Sequence, residues 1–444
     1  MTNLYSFGGY LDFFNNYVGD GGNPYCELVE GSDTNFYGTT SYGGVYNRGS
    51  VFRISPDGTY TNLYSFGPLP DGYSPGGLVQ GSDGNFYGAS FAGGAYDSGT
   101  IFRISPTGSQ ANLYSFSDVP DGANPDGQLV QGSDGNFYGT TYNGGAYTNG
   151  SLFRISPTGN YTNLYSFNPD ANDASYSYGG LVQGNDGNFY GTSSSGGDSG
   201  QGTVFRITPG GSYSNLHSFS GLPNGSSPTG ALVQGSDDNF YGTTIYGGDN
   251  NAGTVFRISS SGSYTNLYSF SGPDGQSPRG KLVQGSDGNF YGVTWLGGSH
   301  GTIFRISPSG SCSNLFSFPG LPGGRNPYRG LVQGSDGNFY GTTYNGGKYN
   351  TLLQYGTVFR LSLPLDPAPF PINQITAVRV VGTNIVFRIP SIAGEKYQLQ
   401  YRSSLTSGGW SNVINRSSIG GLLTITNFGG ASSSSSFYRL KITP

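Results

Sequence analysis

Two of the three glutamates in this 444-residue chain, Glu27 and Glu30, interrupt an internal repeat. Glu30 replaces a glutamine that the other six copies carry, and Glu27 lies three residues before it. Asp126 stands just before the same motif in a later copy. Two carboxylates roughly 5–10 Å apart can act as the acid and the base or nucleophile of a glycoside hydrolase. A carboxylate base beside an Arg or Lys could instead serve a polysaccharide lyase. These three residues are therefore the candidate catalytic groups.

Further carboxylates and the geometry of a strand refine this choice. Asp12 and Asp20, in a long insertion near the N-terminus, are additional acid or base candidates. Successive side chains of a strand point to opposite faces, so the odd separation of Glu27 and Glu30 sends them apart unless a bulge or a turn intervenes. Glu27 is therefore the stronger candidate for a shared site.

A set of aromatic and basic residues predicts ligand binding at the same place. Aromatic faces can stack on the C–H faces of sugars, and charged side chains can bond their hydroxyl groups. The alternative is that these are ordinary loop residues in a chain with 35 tyrosines. The candidates are Tyr25, Tyr178, Arg279, Lys281, Trp295, Tyr328 and Tyr344.

The repeat that carries these residues predicts a β-propeller. The motif LVQGSDGNFYG, or a close variant, occurs seven times at intervals of 49 to 52 residues, first at Leu28 and last at Leu331. Each unit holds four short runs rich in β-branched and aromatic residues, here named strands a to d, and no helical period appears. Repeats of about 50 residues with this pattern are typical of propeller blades. We predict an all-β, seven-bladed propeller of four-stranded blades.

The strand d motif, Asn-Leu-x-Ser-Phe, predicts how the ring closes. Its first copy, Asn3–Phe7, precedes the first strand a, and no copy follows the last strand c, Thr357–Ser362. The N-terminal strand should therefore complete blade 7 by pairing with Val358–Leu361, which removes an open sheet edge. The propeller is expected to span residues 1–363.

The loops that carry the candidate residues should lie on one face of the ring. In a propeller the d–a and b–c loops share one face, and the a–b and c–d turns share the other. The turns hardly vary here, whereas the loops do, so the loop face is the candidate binding face. Insertions at residues 8–24 and 346–356 rise from this face where blades 7 and 1 meet. They either frame a site or staple the closure.

Composition limits the classes of partner. Charged residues make up 10% of the chain, the net charge is −5, and no basic stripe is present, so nucleic acid is not an expected partner. No apolar run approaches 18 residues, so no membrane-spanning segment is predicted. Cys26 and Cys312 fall on different blades, which argues against a disulfide. The repeated turn aspartates lack the neighbouring oxygen ligands of a calcium loop. No metal or cofactor is predicted.

The repeat stops after the last strand c. Residues 364–373 form a Pro-rich linker, which should be stiff and extended. Residues 374–444 show about six alternating strands, which predict a small β-sandwich.

The blade sequence LVQGSDGNFYGTT…GTVFRISP…YTNLYSF resembles the GloVer tandem repeat of secreted proteins from Verrucomicrobia-like bacteria, and the likeness covers all seven units. The stretch GEKYQLQY, residues 394–401, resembles a fibronectin-III-like module that ends many proteins of those bacteria. The resemblance implies a secreted or cell-surface protein whose leader sequence is absent from this chain. It brings no established activity.

A looser likeness to streptogramin lyases does not extend to their chemistry, which needs a catalytic histidine. The two histidines here are better interpreted as a strand d substitution for tyrosine, His217, and a loop residue, His300.

Three functions remain open from the sequence. The first is a carbohydrate-recognition or surface-interaction protein whose partner is a polysaccharide or other glycan. The second is a glycan-active enzyme, a hydrolase or a lyase, with its site on the loop face, at the mouth of the central channel of the propeller. The third is a structural component of a surface layer or adhesin.

Overall fold

The chain, seen in a computed structural model, is built almost wholly of short antiparallel strands. The structure describes residues 1–11, 17–348 and 355–363, together with six strands between residues 377 and 443. The predicted linker lies outside the described residues. Within this part of the chain, no helix is long and apolar enough to cross a membrane.

Seven sheets, each with strands a to d, confirm the predicted blades. Each pairs its strands in the order a, b, c, d, so that every blade is a simple meander. The strands of blades 1 to 3 are Val29–Glu30, Phe36–Thr40, Ser50–Ile54 and Tyr60–Ser65; Gly72–Gln80, Phe86–Gly93, Thr100–Ile104 and Gln110–Ser115; and Val130–Gln131, Phe137–Thr140, Ser151–Ile155 and Tyr161–Ser166. Those of blades 4 and 5 are Val182–Gln183, Phe189–Ser193, Thr203–Ile207 and Tyr213–Ser218; and Val233–Gln234, Phe240–Thr244, Thr254–Ile258 and Tyr264–Ser269. Those of blades 6 and 7 are Val283–Gln284, Phe290–Leu296, Thr302–Ile306 and Cys312–Ser317; and Val332–Gln333, Phe339–Thr343, Thr357–Leu361 and Thr2–Ser6.

The ring closes through the N-terminal strand, as the sequence predicts. Thr2–Ser6 is antiparallel to Thr357–Leu361, with Asn3 opposite Phe359. Phe7, the last residue of the motif, is 1% exposed and belongs to the apolar core at the closure. The first and last parts of the propeller are thus held in one sheet.

The core between blades repeats around the whole ring. In strand b of each blade, the tyrosine of a Phe-Tyr pair packs its ring on the phenylalanine of the next blade, with centroids 3.9 to 4.3 Å apart. Such pairs contribute about 0.5–1.5 kcal/mol beyond the area that they bury. The pairs are Tyr37–Phe86, Tyr87–Phe137, Tyr138–Phe189, Tyr190–Phe240, Tyr241–Phe290, Tyr291–Phe339 and Tyr340–Phe36.

Short strands and one 3-10 turn also form in the loops between the blade strands. Gly9–Leu11 pairs with Tyr17–Gly19 in the first insertion, and Ala174–Ser175 pairs with Ser195–Gly196. Gln276–Pro278 adds to the sheet of blade 6, and Pro169–Ala171 forms a 3-10 turn.

The C-terminal strands form two three-stranded antiparallel sheets. The fibronectin-III-like assignment and the domain boundaries stay predictions. In sheet order the strands are Ala377–Val381, Asn384–Ser391 and Gly421–Asn427, then Ser411–Ser417, Lys396–Arg402 and Phe437–Thr443.

Candidate functional site

The d–a loops of all seven blades converge on the axis of the propeller. There they enclose a cavity of about 20 Å³, which is room for about one water molecule and far too small for a sugar ring. Any larger ligand must therefore bind outside this cavity. Its lining is Cys26, Glu27, Gly77, Asp126, Gln128, Gly180, Gly230, Ala231, Lys281 and Arg329.

The axis is narrow because neighbouring loops pack backbone against backbone. A Cβ atom on Gly230 would come within 2.7 Å of the carbonyl oxygen of Gly280. One on Gly280 would come within 2.3 Å of the amide nitrogen of Gly330. Glycine is required at these positions because no side chain fits between adjacent loops.

A buried ion pair crosses the axis. Nη2 of Arg329, in blade 7, lies 2.9 Å from Oδ2 of Asp126, in blade 3, and the two side chains are 12% and 7% exposed. Nε of Arg329 also donates to the carbonyl oxygen of Tyr25, in blade 1. One guanidinium therefore links three blades.

The pKa values of this pair respond to burial and to each other. Burial raises the pKa of Asp126, although the nearby Arg329 opposes the rise. Burial acts to lower the pKa of Arg329, but Asp126, Tyr25, Tyr328 and Glu27 together outweigh it and raise that pKa. Asp126 is therefore a buried carboxylate with an engaged partner, not a free acid or base.

The sequence analysis did not select Arg329, although the repeat contains a signal for it. Five other units carry glycine two residues before the leucine that opens the LVQGSDGNFYG motif, where the loops pack closely: Gly76, Gly127, Gly179, Gly230 and Gly280. An arginine at this position breaks the repeat as clearly as Glu30 does.

Glu27 lies at the same cavity and is held by backbone donors. Its Oε1 accepts hydrogen bonds from the amide nitrogens of Lys281 and Gly330, each at 3.2 Å. The structure therefore brings Glu27, Asp126 and Lys281 together at the axis. Both carboxylates are engaged in contacts between blades.

The structure does not bring Glu30 to this place. Glu30 pairs with Phe36 beside the a–b turn, at the opposite end of strand a from Glu27. In the next blade the equivalent glutamine, Gln80, accepts a hydrogen bond from the amide nitrogen of Ser32 and donates to the carbonyl oxygen of Gly84. Position 30 therefore belongs to a structural link between blades.

Asp20 also occupies a repeated structural position. Its carboxylate accepts a hydrogen bond from the hydroxyl of Tyr5 in strand d, as Asp71 does from Tyr64 at 2.7 Å. Three more blades have the same pair: Tyr114–Asp121, Tyr165–Asp173 and Tyr268–Asp274. Asp12 lies outside the described residues.

Four aromatic rings from blades 6, 7 and 1 meet on the loop face, and we name them the aromatic cluster: Tyr25, Trp295, Tyr328 and Tyr344. The Tyr25 and Tyr328 centroids are 4.5 Å apart, and their hydroxyls are joined by a 3.1 Å hydrogen bond. Trp295 meets Tyr328 edge-on at 5.1 Å and Tyr344 at 5.7 Å. All four rings are half-buried, so part of each stays open to a ligand.

Arg279 packs against this cluster. Its guanidinium carbon lies 5.7 Å from the ring centroid of Trp295 and 5.2 Å from that of Tyr328, within the range of a cation–π contact. Nη1 of Arg279 donates to the Tyr328 hydroxyl at 3.1 Å. The remaining ligand-binding candidate, Tyr178, packs against Tyr142 with ring centroids 4.5 Å apart. Burial raises the pKa of Tyr178, and Tyr142, Asp126 and Tyr328 are near enough to add to the rise.

The histidine of strand d in blade 4, His217, belongs to the repeated packing between blades. His217 stacks on Tyr264 at 4.0 Å, as Tyr114 stacks on Tyr161 at 4.1 Å in an earlier blade. It therefore takes the structural place of a strand d tyrosine, and burial lowers its pKa. Both cysteines are free thiols.

Solved structures with a similar fold come from several kinds of protein. PorZ, a surface component of the type-IX secretion system of Porphyromonas gingivalis, gives a TM-score of 0.50 at 12% identity. The match covers 99% of this chain but only 60% of PorZ. The BP39L lectin of Burkholderia pseudomallei gives a TM-score of 0.52 at 10% identity, over 77% of this chain and 99% of the lectin. At such identities the likeness establishes the fold alone.

Sequence comparison identifies the repeats. No protein of curated function matches the chain. The family model of the Gloeobacter/Verrucomicrobia repeat matches residues 4–185 and again 176–367, which together span the propeller. The chain therefore belongs to the Gloeobacter/Verrucomicrobia repeat family.

Proposed function

We propose that this protein recognises carbohydrate outside the cell, with the aromatic cluster as the binding site. The observation that carries the proposal is the cluster itself: four half-buried residues whose rings meet at blades 6, 7 and 1, a larger group than the three tyrosines that meet at blades 3 and 4, Tyr142, Tyr176 and Tyr178. The ring of Phe-Tyr pairs already supplies the apolar contacts that hold the blades together. The cluster is therefore free to stack on a sugar.

The carboxylates favour binding over hydrolysis. A hydrolase needs one carboxyl group to donate a proton and a second to attack or to activate water. Asp126 is paired with Arg329, and Glu27 is held by two amide nitrogens. Both carboxylates border a cavity that a sugar ring does not fit. Their contacts link blades, which supports a structural role.

The rest of the chain fits a role at the cell surface. The fibronectin-III-like resemblance of the C-terminal part implies a spacer or an anchor that presents the propeller. A purely structural layer component, the remaining alternative, has no need of an exposed aromatic cluster.

A glycan array followed by calorimetry on the strongest ligand tests the proposal. Trp295→Ala and Tyr328→Ala should each weaken binding by about 1–3 kcal/mol, roughly tenfold to a hundredfold, because each removes a stacking surface. Tyr96→Ala is the matched control, since Tyr96 is 65% exposed on the b–c loop of blade 2 and lies outside the cluster. Equal losses from all three variants, or no glycan bound, would exclude the cluster as the site.

The same ligand should be assayed for turnover. Release of reducing ends, or of unsaturated uronates, would support the enzyme. Glu27→Gln then separates the two functions: an enzyme that uses Glu27 would lose turnover and keep its affinity, whereas a binding protein shows no turnover before or after the change.

A further inference from the structure

At the channel mouth, the negatively charged side chains have partners in the fold, whereas most of the positively charged ones have no partner of opposite charge among the described residues. Glu27 and Asp126, the two carboxylates, both have partners in the fold. Of the three cations, only Arg329 is in an ion pair. Arg279 and Lys281 have no carboxylate within 4 Å of their side-chain nitrogens among the residues that the structure describes. The mouth thus carries more positive than negative charge, although the whole chain has a net charge of −5.

The two unpaired cations belong to one loop. Arg279 and Lys281 are two residues apart in the d–a segment that enters blade 6. Arg279 is oriented by Trp295 and Tyr328, and among the described residues only the Tyr328 hydroxyl accepts a hydrogen bond from its five N–H donors.

An arginine held in this way is suited to a planar anion. The guanidinium presents parallel donors that match the two oxygens of a carboxylate or sulfate. The rings of the aromatic cluster lie beside it and offer a surface for a sugar. An arginine whose role was only to neutralise charge in the fold would be expected near a carboxylate, as Arg329 is near Asp126.

We infer that the ligand is an acidic glycan, whose uronate carboxylate or sulfate ester binds Arg279 while a sugar ring stacks on the aromatic cluster. Lys281 supplies a second positive charge to the same anionic group or to the next one along the chain. This inference rests on the proposed function and specifies its ligand class. Under this inference, Arg279 provides selectivity for acidic glycans, and Trp295 and Tyr328 provide affinity for acidic and neutral glycans alike.

Chemically matched ligands test the role of charge. Oligogalacturonates and their carboxyl-reduced counterparts differ only in the carboxylate, and dextran sulfate and dextran differ only in the sulfate. The protein should bind at least one acidic member at least tenfold more tightly than its neutral partner. Arg279→Gln should remove most of that difference, and Lys281→Gln should reduce it.

Arg48→Gln is the matched control. Arg48 also lies over a tyrosine ring, 5.3 Å from Tyr73, on a b–c loop of the same face but outside the aromatic cluster. Equal losses from Arg48→Gln and Arg279→Gln would show non-specific attraction of a polyanion and overturn the inference. Thermal unfolding of each variant checks folding, and Lys281→Gln remains informative if Arg279→Gln is unstable.

The outcomes separate this inference from the proposed function. If acidic and neutral ligands bind equally and Trp295→Ala weakens both, the carbohydrate site stands and the acidic ligand class is wrong. If no glycan binds, both are wrong. A preference for acid that depends on Arg279 but not on Arg48 supports both.

Discussion

The turn face and the loop face of the propeller use polar side chains in different ways. On the turn face, Asp134 accepts hydrogen bonds from Asn136 and Tyr138 of its own turn, and Gln131 accepts one from Ser82 of the preceding blade. The same contacts recur from blade to blade. Because each is local and repeated, the loss of one leaves the others in place.

On the loop face, the decisive contacts occur once. The Asp126–Arg329 ion pair crosses the axis and has no counterpart among the described residues. The aromatic cluster with Arg279 packed against it has only partial counterparts: three tyrosines meet at blades 3 and 4, and Arg48 lies over Tyr73. Contacts that recur in every blade stabilise the closed ring. A contact that occurs once can instead bind a ligand or stabilise one particular place in the fold. The predictions below test this division.

The largest effect is expected at the closure. Deleting residues 1–7 removes strand d of blade 7 and the buried ring of Phe7, and it exposes the edge of Thr357–Leu361. An open edge invites pairing with other chains. We expect loss of cooperative unfolding and aggregation, measured by circular dichroism and size-exclusion chromatography. Deletion of Met1 alone is the control, and a truncated protein as stable and soluble as the full chain would contradict the closed ring.

The second-largest effect is expected at the Asp126–Arg329 ion pair. Arg329→Met leaves the Asp126 carboxylate buried without its partner, which costs about 3–5 kcal/mol for a broken buried pair. The double variant with Asp126→Leu should recover much of that loss, since both charges are then gone. Denaturant unfolding measures both. If the single and double variants are equally unstable, Arg329 acts through packing and not through charge.

The division between the faces also explains how much the sequence could predict. The seven blades and the closure followed from spacing alone, because each Asn-Leu-x-Ser-Phe motif marks one strand. Position 30 was harder to interpret. A carboxylate that replaces a repeated glutamine indicates a difference between blades, but it does not show whether the residue lies at the axis or at the turn end of the strand. Its pairing with Phe36 decides that.

Contacts across the axis could not be read from the sequence. Asp126 and Arg329 are 203 residues apart, and their meeting depends on the tilt of seven blades. The aromatic residues of the cluster were predicted from the sequence to line one opening, but the contacts between their rings could not be read from it. Tyr178 had the same kind of signal and yet packs against Tyr142.

Lowering the pH should weaken the stabilising contacts of the aspartates on the turn face. Partial burial works to raise the pKa of each turn aspartate, but hydrogen bonds from its own turn outweigh this and lower the pKa; the residues are Asp33, Asp83, Asp134, Asp186 and Asp237. A lowered pKa contributes stability above the unfolded value of about 4, and the contribution is lost as the pH falls through the folded value.

Stability of the propeller should therefore decrease as the pH falls below about 4. Asp83→Asn and Asp134→Asn should each make this decrease less steep, because one titrating group is removed. Urea unfolding at several pH values measures the slope. Asp170→Asn, on an exposed loop-face turn, is the control and should leave the slope unchanged. A slope that the turn variants do not change would contradict the assignment.

The smallest effect is expected at Glu30. In blades 2 to 5 the equivalent glutamine both accepts a hydrogen bond from the preceding blade and donates one to a turn carbonyl, as Gln131 does to Gly135. A carboxylate cannot donate, so Glu30→Gln should restore that bond and stabilise the propeller by about 0.5–1.5 kcal/mol. Thermal unfolding measures the gain, and Gln131→Glu should produce the opposite change. If Glu30→Gln instead abolished glycan binding or turnover without a change in stability, the turn face would carry function and the division between the two faces would be wrong.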